Sequence, residues 1–184
     1  MSGQSHYQLF ETAAGVAAIG WNASGINSLR LPAPDAQDSE RAIARHLPDA
    51  VRADPSPEVD VVIDAIRRYF AGQRVDFSDV PVDLGPQELF FTRVYDVVRQ
   101  LGWGETTTYG AVARMLGVGP EYARSVGQAM ARNPVPLIVP CHRVMAAGGK
   151  IGGFSAPGGA ISKARMLALE GVAQPEPAQQ GFDF

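Results

Sequence analysis

The chain has 184 residues and a formal net charge of −3, with 46% hydrophobic and 19% charged residues. These values describe an ordinary soluble globular protein of one domain or two small ones. Its single cysteine excludes an internal disulfide and a cysteine-rich zinc cluster. The histidines at 6, 46 and 142 lack metal-ligand spacing, so neither a metal nor another cofactor is expected.

The beginning of the chain does not read as a targeting segment. Residues 1–10 lack a basic region and a long apolar run, and no later segment reaches transmembrane length. We therefore expect a cytoplasmic protein with a reduced thiol and no membrane attachment.

The charges are unevenly distributed along the chain. Residues 1–88 carry 7 Lys and Arg against 13 Asp and Glu, whereas residues 89–172 carry 9 against 4. A basic second half is typical of a nucleic-acid-binding surface, and ordinary solvated surface accounts for it about equally well.

The first half reads as a small α+β domain over residues 1–72. Apolar runs at 7–11, 16–21 and 26–31 predict three strands joined by tight turns. A short helix is expected at 39–47, capped by Asp38 or Ser39. A second helix begins at Ser56-Pro57-Glu58, continues with apolar residues at helical spacing, and ends at Gly72. Residues 73–88 have little periodicity and are interpreted as a linker.

The second half, residues 89–172, reads as mostly helical. Residues 89–101 predict a helix whose buried stripe is Phe90, Val94, Val97, Val98 and Leu101. Thr108 can cap a helix over 109–116, with Val112, Met115 and Leu116 facing inward. Pro120 then begins a helix that ends near Asn133. Two helices joined by a short glycine-containing turn indicate either a helix-turn-helix or a generic helical hairpin.

The faces of the helix after Pro120 favour a nucleic-acid surface. One stripe is mostly apolar: Tyr122, Val126, Ala129, Met130 and Asn133. The other is small and lightly charged: Arg124, Gly127, Gln128 and Ala131. A backbone could approach a DNA groove closely along this second stripe, with one long cation projecting from it.

The end of the chain combines a glycine-rich loop, a helix and a polar tail. Residues 148–159 lack the spacing of a phosphate loop, and they form either a pocket wall or a flexible surface loop. Ser162 is expected to cap a helix over 163–170, which Gly171 ends. Residues 173–184 are rich in Pro and Gln and are expected to be disordered.

The cysteine lies in the most unusual stretch of the chain. Cys141 follows three prolines, each of which favours extended geometry, so the thiol is held on a rigid, non-helical segment. A lone cysteine is by residue type more often structural, but His142 and Arg143 offer a base and a positive charge that would raise its thiolate fraction. Adjacent side chains of a strand point to opposite faces. His142 can therefore serve Cys141 only if the backbone turns there or a water molecule bridges them.

This stretch carries a family resemblance. The run Pro140-Cys141-His142-Arg143-Val144, preceded by Asn133-Pro134-Val135-Pro136, closely resembles the signature of the O6-alkylguanine-DNA alkyltransferases (methylated-DNA–protein-cysteine methyltransferases). The resemblance covers about residues 91–171 and includes Gly104-Glu105-Thr106-Thr107-Thr108-Tyr109-Gly110, Ala123-Arg124-Ser125-Val126-Gly127 and Leu169-Glu170-Gly171. It implies an α+β protein with a ribonuclease-H-like N-terminal domain and a mostly helical, winged-helix-like DNA-binding domain that contains a helix-turn-helix.

The resemblance implies DNA repair by direct reversal, in which Cys141 irreversibly accepts the alkyl group of O6-alkylguanine in double-stranded DNA. Because O6 lies inside the base stack, the nucleotide must be flipped out. His142 would take the thiol proton through a water molecule, Glu170 would orient the imidazole, and Tyr109 would donate a proton to the base. No second cysteine could accept the group, so one turnover per molecule is expected.

The resemblance also implies how DNA is held. The helix after Pro120 would lie in the minor groove, where Arg124 fills the vacated stack, and Tyr109 would crowd the 3′ phosphate. Gly127, Gln128 and Ala131 belong to the same DNA-facing stripe.

The remaining implied contacts surround the flipped base. The carbonyls of Cys141 and Val144 would accept its exocyclic amine, and the backbone N–H of Ser155 would bond O6. Asn133 would hold the cysteine segment. We expect the protein to act as a monomer.

The chain departs from the family pattern in three places. It is longer by about two residues at 156–159, Trp103 stands where a proline is common, and Thr108 replaces the usual serine. The sequence leaves open the preferred alkyl size and any activity on O4-alkylthymine.

Three alternatives remain. A non-catalytic binder of alkylated DNA would replace the acceptor cysteine, usually with tryptophan, and here Cys141 is present. A helix-turn-helix regulator does not account for the cysteine segment. A thiol hydrolase using Cys141 and His142 would turn over repeatedly and would leave the basic helical half unexplained.

Overall fold

The computed structural model describes residues 3–150 and 161–173. The first half contains β1 (His6–Thr12), β2 (Gly15–Asn22), β3 (Gly25–Ala33), α1 (Ala36–His46), β4 (Val51–Arg52) and α2 (Pro57–Phe70). The second half contains α3 (Leu89–Val98), β5 (Thr107–Thr108), α4 (Tyr109–Met115), α5 (Ala123–Ala131), β6 (Val144–Met145) and α6 (Lys163–Leu169). Short 3₁₀ turns lie at Pro120–Tyr122, Cys141–Arg143 and Ala147–Gly149.

The three predicted strands are confirmed, and they form an antiparallel meander. Phe10 lies opposite Ala17, and Ile19 lies opposite Leu29. The two-residue strand β4, which is too short for periodicity to predict, pairs with β1 in parallel and gives the sheet order β3-β2-β1-β4.

Two helices accompany the sheet, and the sequence predicts one of their starts correctly. Helix α2 begins at Pro57, and the Ser56 hydroxyl accepts the Val59 N–H at 3.4 Å, as expected for an N-cap. Helix α1 instead begins three residues before the expected start, because Asp35 caps it by accepting the Gln37 N–H at 2.8 Å. Ser39 is buried, and its hydroxyl donates to the Val16 carbonyl of β2 at 2.6 Å, so it anchors α1 on the sheet and does not cap it.

Residues 73–88 contain neither helix nor long strand, yet the segment is fastened to the sheet. The Ile26 N–H donates to the Pro81 carbonyl at 2.9 Å, and the Asp83 N–H donates to the Ile26 carbonyl at 2.9 Å. Gly25 has φ +143°, and a Cβ there would lie 2.5 Å from the Pro81 carbonyl oxygen. Only glycine therefore permits this close approach.

Helix α3 buries Val94 and Val98 as predicted, but the rest of its buried face differs from the prediction. Phe91, Val94, Tyr95 and Val98 are buried, whereas Phe90 and Val97 are partly buried. The hydroxyl of Tyr95 donates to the Ala129 carbonyl at 2.8 Å. Because this hydrogen bond satisfies the hydroxyl inside the core, Tyr95 can lie on the buried face of α3. The helix ends at Val98, and Leu101 lies in the turn that follows.

Helices α4 and α5 confirm the predicted helix pair. The Thr108 hydroxyl caps α4 by accepting the Ala111 N–H at 3.1 Å. Met115 is 58% exposed, contrary to expectation, because Val112, Ala113 and Leu116 make the buried stripe and Met115 lies opposite Ala113 at about 100° per residue. Pro120 opens a 3₁₀ turn that leads into α5.

The two halves share one hydrophobic core. Buried residues from the sheet, α2, α3, α5 and the cysteine segment form a continuous cluster. The Leu29 N–H and the Arg30 guanidinium both donate to the Pro134 carbonyl, at 3.0 and 2.8 Å. Burial lowers the pKa of Arg30 to about 10. Strand β3 is thus hydrogen-bonded to the segment that precedes Cys141. The domain boundaries expected from the sequence stay a prediction.

Within the described ranges, no helix combines the length and the apolar character needed to cross a lipid bilayer.

Candidate active site and nucleic-acid interface

The approach to Cys141 is a tight turn over residues 133–139 that one side chain closes. The side-chain Oδ1 of Asn133 accepts the Val135 N–H at 3.0 Å, and the side-chain Nδ2 donates to the Val139 backbone carbonyl at 2.7 Å. The Val139 N–H also donates to the Val135 carbonyl at 3.0 Å. Leu137, buried within the turn, has φ +76°, a left-handed conformation that is uncommon for a branched residue. Asn133 lies where it can hold the cysteine segment.

The backbone reverses direction at Cys141. Pro140 has φ −79° and ψ 66°, and the Cys141 N–H donates to the Val139 carbonyl at 2.8 Å, which is the geometry of an inverse γ-turn. The 3₁₀ turn Cys141–Arg143 follows at once, with the Arg143 N–H donating to the Pro140 carbonyl at 3.0 Å. Cys141 and His142 therefore lie in a turn and not in a strand. Their side chains need not point to opposite faces, as they would in a strand.

The thiol of Cys141 is a buried free sulfur, 3% exposed. Burial raises its pKa, and the Asn133 amide and the Lys163 ammonium oppose that rise by stabilising the thiolate. The cation that acts on the sulfur is thus Lys163, whereas the sequence suggested Arg143. The reason is long-range packing, since α6 brings Lys163 to the cysteine segment.

His142 and Glu170 form a fully buried pair. The His142 Nε2 is hydrogen-bonded to Oε2 of Glu170, and neither side chain has exposed surface. Burial lowers the pKa of His142 and so favours the neutral imidazole, although the Glu170 carboxylate opposes that effect. Within residues 3–150 and 161–173, Nδ1 of His142 has no hydrogen-bond partner. A neutral imidazole bonded through Nε2–H keeps a free lone pair on Nδ1, as a general base requires.

Glu170 is the centre of this polar network. Its Oε1 accepts the Arg143 Nε–H at 2.7 Å and the Gly104 N–H at 3.0 Å. Burial alone would raise the pKa of Glu170, but hydrogen bonds from His142, Arg143 and Gly104 outweigh burial and hold the pKa at about 2. Glu170 is therefore ionised at any working pH.

Arg143 serves this network and not the thiol. Besides its bond to Glu170, it donates through Nη1 to the Leu101 carbonyl at 2.6 Å. Both contacts fix the guanidinium beside the carboxylate, where it neutralises the buried negative charge.

Tyr109 and Lys163 lie on another side of the cysteine. The Lys163 ammonium donates to the Val144 carbonyl and lies 5.8 Å from the centre of the Tyr109 ring. Burial raises the pKa of Tyr109, and the neighbouring Cys141 adds to the rise, so the phenol stays protonated. The structure thus brings Tyr109, Val144 and Cys141 together.

Helix α5 presents the expected small, lightly charged stripe to the outside. Arg124, Gln128 and Ala131 are exposed and Gly127 is partly exposed, while Val126, Ala129 and Met130 are buried. Tyr122, expected in the apolar stripe, is instead 43% exposed and contacts the ring of Phe90 at 5.5 Å. The difference arises because Tyr122 belongs to the 3₁₀ turn before α5 and not to the helix itself.

Ser155, the longer loop at 156–159 and nearly all of the tail expected to be disordered lie outside the described residues. The helix predicted after Ser162 is confirmed as α6, and the Ser162 hydroxyl accepts the Arg165 N–H at 3.2 Å.

The sequence did not point to Tyr69. Its hydroxyl donates to Oε2 of Glu170 at 2.6 Å across 101 residues of chain. The local pattern identifies Tyr69 only as an aromatic residue near the end of α2, so no sequence signal marks it as part of the site.

Comparisons with known proteins find relatives of this chain. Residues 89–172 match the family model described as 6-O-methylguanine DNA methyltransferase, DNA binding domain. The chain is 45% identical over 103 residues to the methylated-DNA–protein-cysteine methyltransferase of Metallosphaera sedula, covering 56% of this chain and 62% of that relative. It is 32% identical over 163 residues to the protein of the same name from Mycobacterium bovis, covering 88% and 89%.

A solved structure extends the match to the fold. The Mycobacterium tuberculosis OGT protein in complex with DNA superposes with a TM-score of 0.71 at 30% identity, covering 90% of this chain and 92% of that one. The likeness includes the sheet half, which the family model does not reach. The chain therefore belongs to the methylated-DNA–protein-cysteine methyltransferase family.

Proposed function

We propose that this protein repairs DNA by transferring the alkyl group of O6-alkylguanine in duplex DNA to Sγ of Cys141, once per molecule. The observation that carries the proposal is a lone buried thiol on a 3₁₀ turn, directly followed by a histidine that is locked to a buried carboxylate. The names of the relatives, methylated-DNA–protein-cysteine methyltransferases, support this chemistry.

The thiol would be activated by the groups around it. His142, neutral because it is buried, would take the thiol proton at Nδ1 through a water molecule while Nε2–H stays bonded to Glu170. The Asn133 amide and the Lys163 charge would stabilise the resulting thiolate. Thiolate is a strong, polarizable nucleophile and suits attack at an alkyl carbon.

The reaction balances without a cofactor. Sγ of Cys141 forms a bond to the alkyl carbon as the bond between that carbon and O6 breaks, and the electron pair passes to guanine. Tyr109, a protonated phenol, would donate to N3 of the leaving base and recover its proton by way of His142 and solvent. The products are guanine and a thioether on Cys141, which no described group could hydrolyse.

The DNA would be held along α5 in the minor groove. Arg124 would fill the stack that the flipped nucleotide vacates. The surface formed by Gly127, Gln128 and Ala131 would let the backbone of α5 approach the groove closely. The carbonyls of Cys141 and Val144 would accept the exocyclic amine of the flipped guanine, and the Val144 oxygen has a second lone pair beyond the one that Lys163 uses.

The test is intact-protein mass spectrometry after incubation with duplex DNA that contains O6-methylguanine. We expect a gain of one methyl group, about 14 Da, which is absent in Cys141→Ala and stoichiometric with protein. Binding without a mass gain would indicate a non-catalytic binder or a regulator, and repeated turnover would indicate a hydrolase. Either result would overturn the proposal.

Four finer assignments belong to the same proposal. The order β3-β2-β1-β4 with β4 parallel to β1 supports a ribonuclease-H-like domain at 1–72, and the helix pair with the β5–β6 pair supports a winged-helix-like domain at 89–172. We also propose that the protein is a monomer in the cytoplasm, which sedimentation of the purified protein and cell fractionation would test.

A further inference from the structure

Helix α2 of the first half reaches into the catalytic network through one side chain. Tyr69 is fully buried, and its hydroxyl lies 2.6 Å from Oε2 of Glu170. Oε2 is the same oxygen that contacts Nε2 of His142, and the Tyr69 hydroxyl itself lies 3.5 Å from that nitrogen. The carbonyl of Met166, at 3.4 Å, is the more distant acceptor.

The ring of Tyr69 is held on several sides. Phe70, Phe77 and Trp103 contact it edge-on, with ring centres at 5.1, 6.1 and 5.5 Å. Such packing leaves the ring little freedom to move, so the hydroxyl has a fixed direction. Trp103 is thus part of the wall behind this tyrosine.

The contacts at Oε2 determine which nitrogen of His142 carries the hydrogen. A carboxylate only accepts hydrogen bonds, and Glu170 is ionised because its pKa is held at about 2. Burial and the charge of Glu170 raise the pKa of Tyr69, so its hydroxyl remains a donor. His142 must therefore donate from Nε2, which leaves Nδ1 free to accept a proton.

We propose that Tyr69 is a positioning residue for alkyl transfer. By donating to Oε2 of Glu170 it holds the carboxylate against His142, shares the carboxylate charge and limits how strongly Glu170 attracts the imidazole proton. The first half of the chain thereby completes the proton-accepting site that the second half carries. This inference rests on the proposed function.

The test is the pH profile of single-turnover methyl transfer by the full-length Tyr69→Phe protein. Without the hydroxyl, the carboxylate is more basic and raises the pKa of His142, so the acid limb should move upward by about half to one pH unit. The rate at neutral pH should fall about threefold to tenfold. The other charged or titratable groups facing His142 are Glu170, Lys163, Arg143 and Cys141, and all of them are unchanged in this variant.

Tyr7→Phe is the matched control. The Tyr7 hydroxyl also bonds a glutamate, Oε1 of Glu40 at 3.0 Å, but it lies on β1 away from the cysteine segment. This variant should keep the wild-type profile. A Tyr69→Phe profile that coincides with wild type would overturn the inference, even if the protein were less stable, because a purely structural tyrosine would not move the acid limb.

A second variant covers the case in which Tyr69→Phe does not fold. Site-specific 3-fluorotyrosine at position 69 keeps the ring and hydroxyl but makes the phenol a stronger donor, so the acid limb should move downward. An unmoved limb would contradict the inference. Failure of the wild-type protein to gain a methyl group would instead refute the proposed function, so the two failures are distinguishable.

Discussion

Glu170 shows at the scale of one residue how a buried charge is tolerated. Within the part of the chain that the structure describes, it receives four donors: Tyr69, Gly104, His142 and Arg143. Each oxygen accepts two of them, which replaces the water lost on burial. The carboxylate is therefore a structural anion as well as the partner of a proposed general base.

The Glu170 network should contribute to acid sensitivity. A carboxyl group whose folded pKa is lowered from 4.5 to about 2 stabilises the fold above its unfolded pKa, and that contribution is lost as the pH falls through about 2. We expect Glu170→Gln to lower the free energy of unfolding at pH 7 by about 3 kcal/mol or more, because Arg143 is left buried beside a neutral amide.

Urea unfolding between pH 7 and pH 2.5 measures this. The wild-type protein should lose stability below about pH 4.5 more steeply than Glu170→Gln does. Asp64→Asn, which removes a carboxylate from the exposed ion pair with Arg68 at 3.2 Å, should follow the wild-type profile. Parallel profiles for wild type and Glu170→Gln would show that Glu170 is not the source of the acid sensitivity.

At the scale of an element, helix α5 contains a residue, Gly127, whose identity is not explained by packing inside the protein. Gly127 lies inside the helix, and a Cβ built there would meet nothing within 4 Å. A glycine inside a helix is destabilising relative to alanine by about 0.5–1 kcal/mol. Since no neighbour among residues 3–150 and 161–173 requires its small size, an external surface such as a DNA groove is the reason we propose for it.

Gly127→Ala should therefore separate stability from binding. We expect the variant to be more stable by about 0.5–1 kcal/mol, because alanine favours the helix. Its affinity for duplex DNA should fall on the order of tenfold, because the methyl group keeps the backbone away from the groove. Thermal unfolding and fluorescence anisotropy with labelled DNA measure the two effects.

Gly110→Ala is the control for the stability effect. Gly110 lies in the first turn of α4, and a Cβ there meets no atom of the described residues within 4 Å, so a smaller gain from helix propensity should appear without a change at α5. If Gly127→Ala bound DNA as tightly as wild type, the proposed close approach of α5 would be wrong.

At the scale of the whole molecule, the two halves are joined by a continuous core and by polar contacts. Arg30 and Leu29 of β3 hold the Pro134 carbonyl, and Tyr69 of α2 holds Glu170. These contacts connect β3 to the segment before Cys141, and α2 to Glu170, which follows α6. The structure of the site therefore depends on the first half even though that half carries no proposed nucleophile or base.

This coupling predicts one cooperative unfolding transition. Trp21 lies in the sheet and Trp103 lies beside the site, and they are the only tryptophans of the chain. In Trp21→Phe and Trp103→Phe, the remaining tryptophan reports on one half, and its fluorescence should change at the same urea concentration as the far-ultraviolet circular dichroism. Separate transitions in either variant would mean that the halves unfold independently.

The amino-acid sequence by itself determined features that depend on neighbours in the chain. The three long strands, the caps at Ser56, Thr108 and Ser162, and the helix pair all follow from local hydrogen bonding and periodicity. The run around Cys141 likewise identified the family, because its chemistry is concentrated in five consecutive residues.

Only the tertiary structure decided which distant groups meet. It showed that Lys163, and not Arg143, is the cation that acts on the thiol. It also showed that the buried face of α3 includes Tyr95. It also brought Tyr69 to Glu170 from 101 residues away. Such contacts depend on how whole helices and strands pack around a shared core. The local sequence around each partner therefore does not predict them.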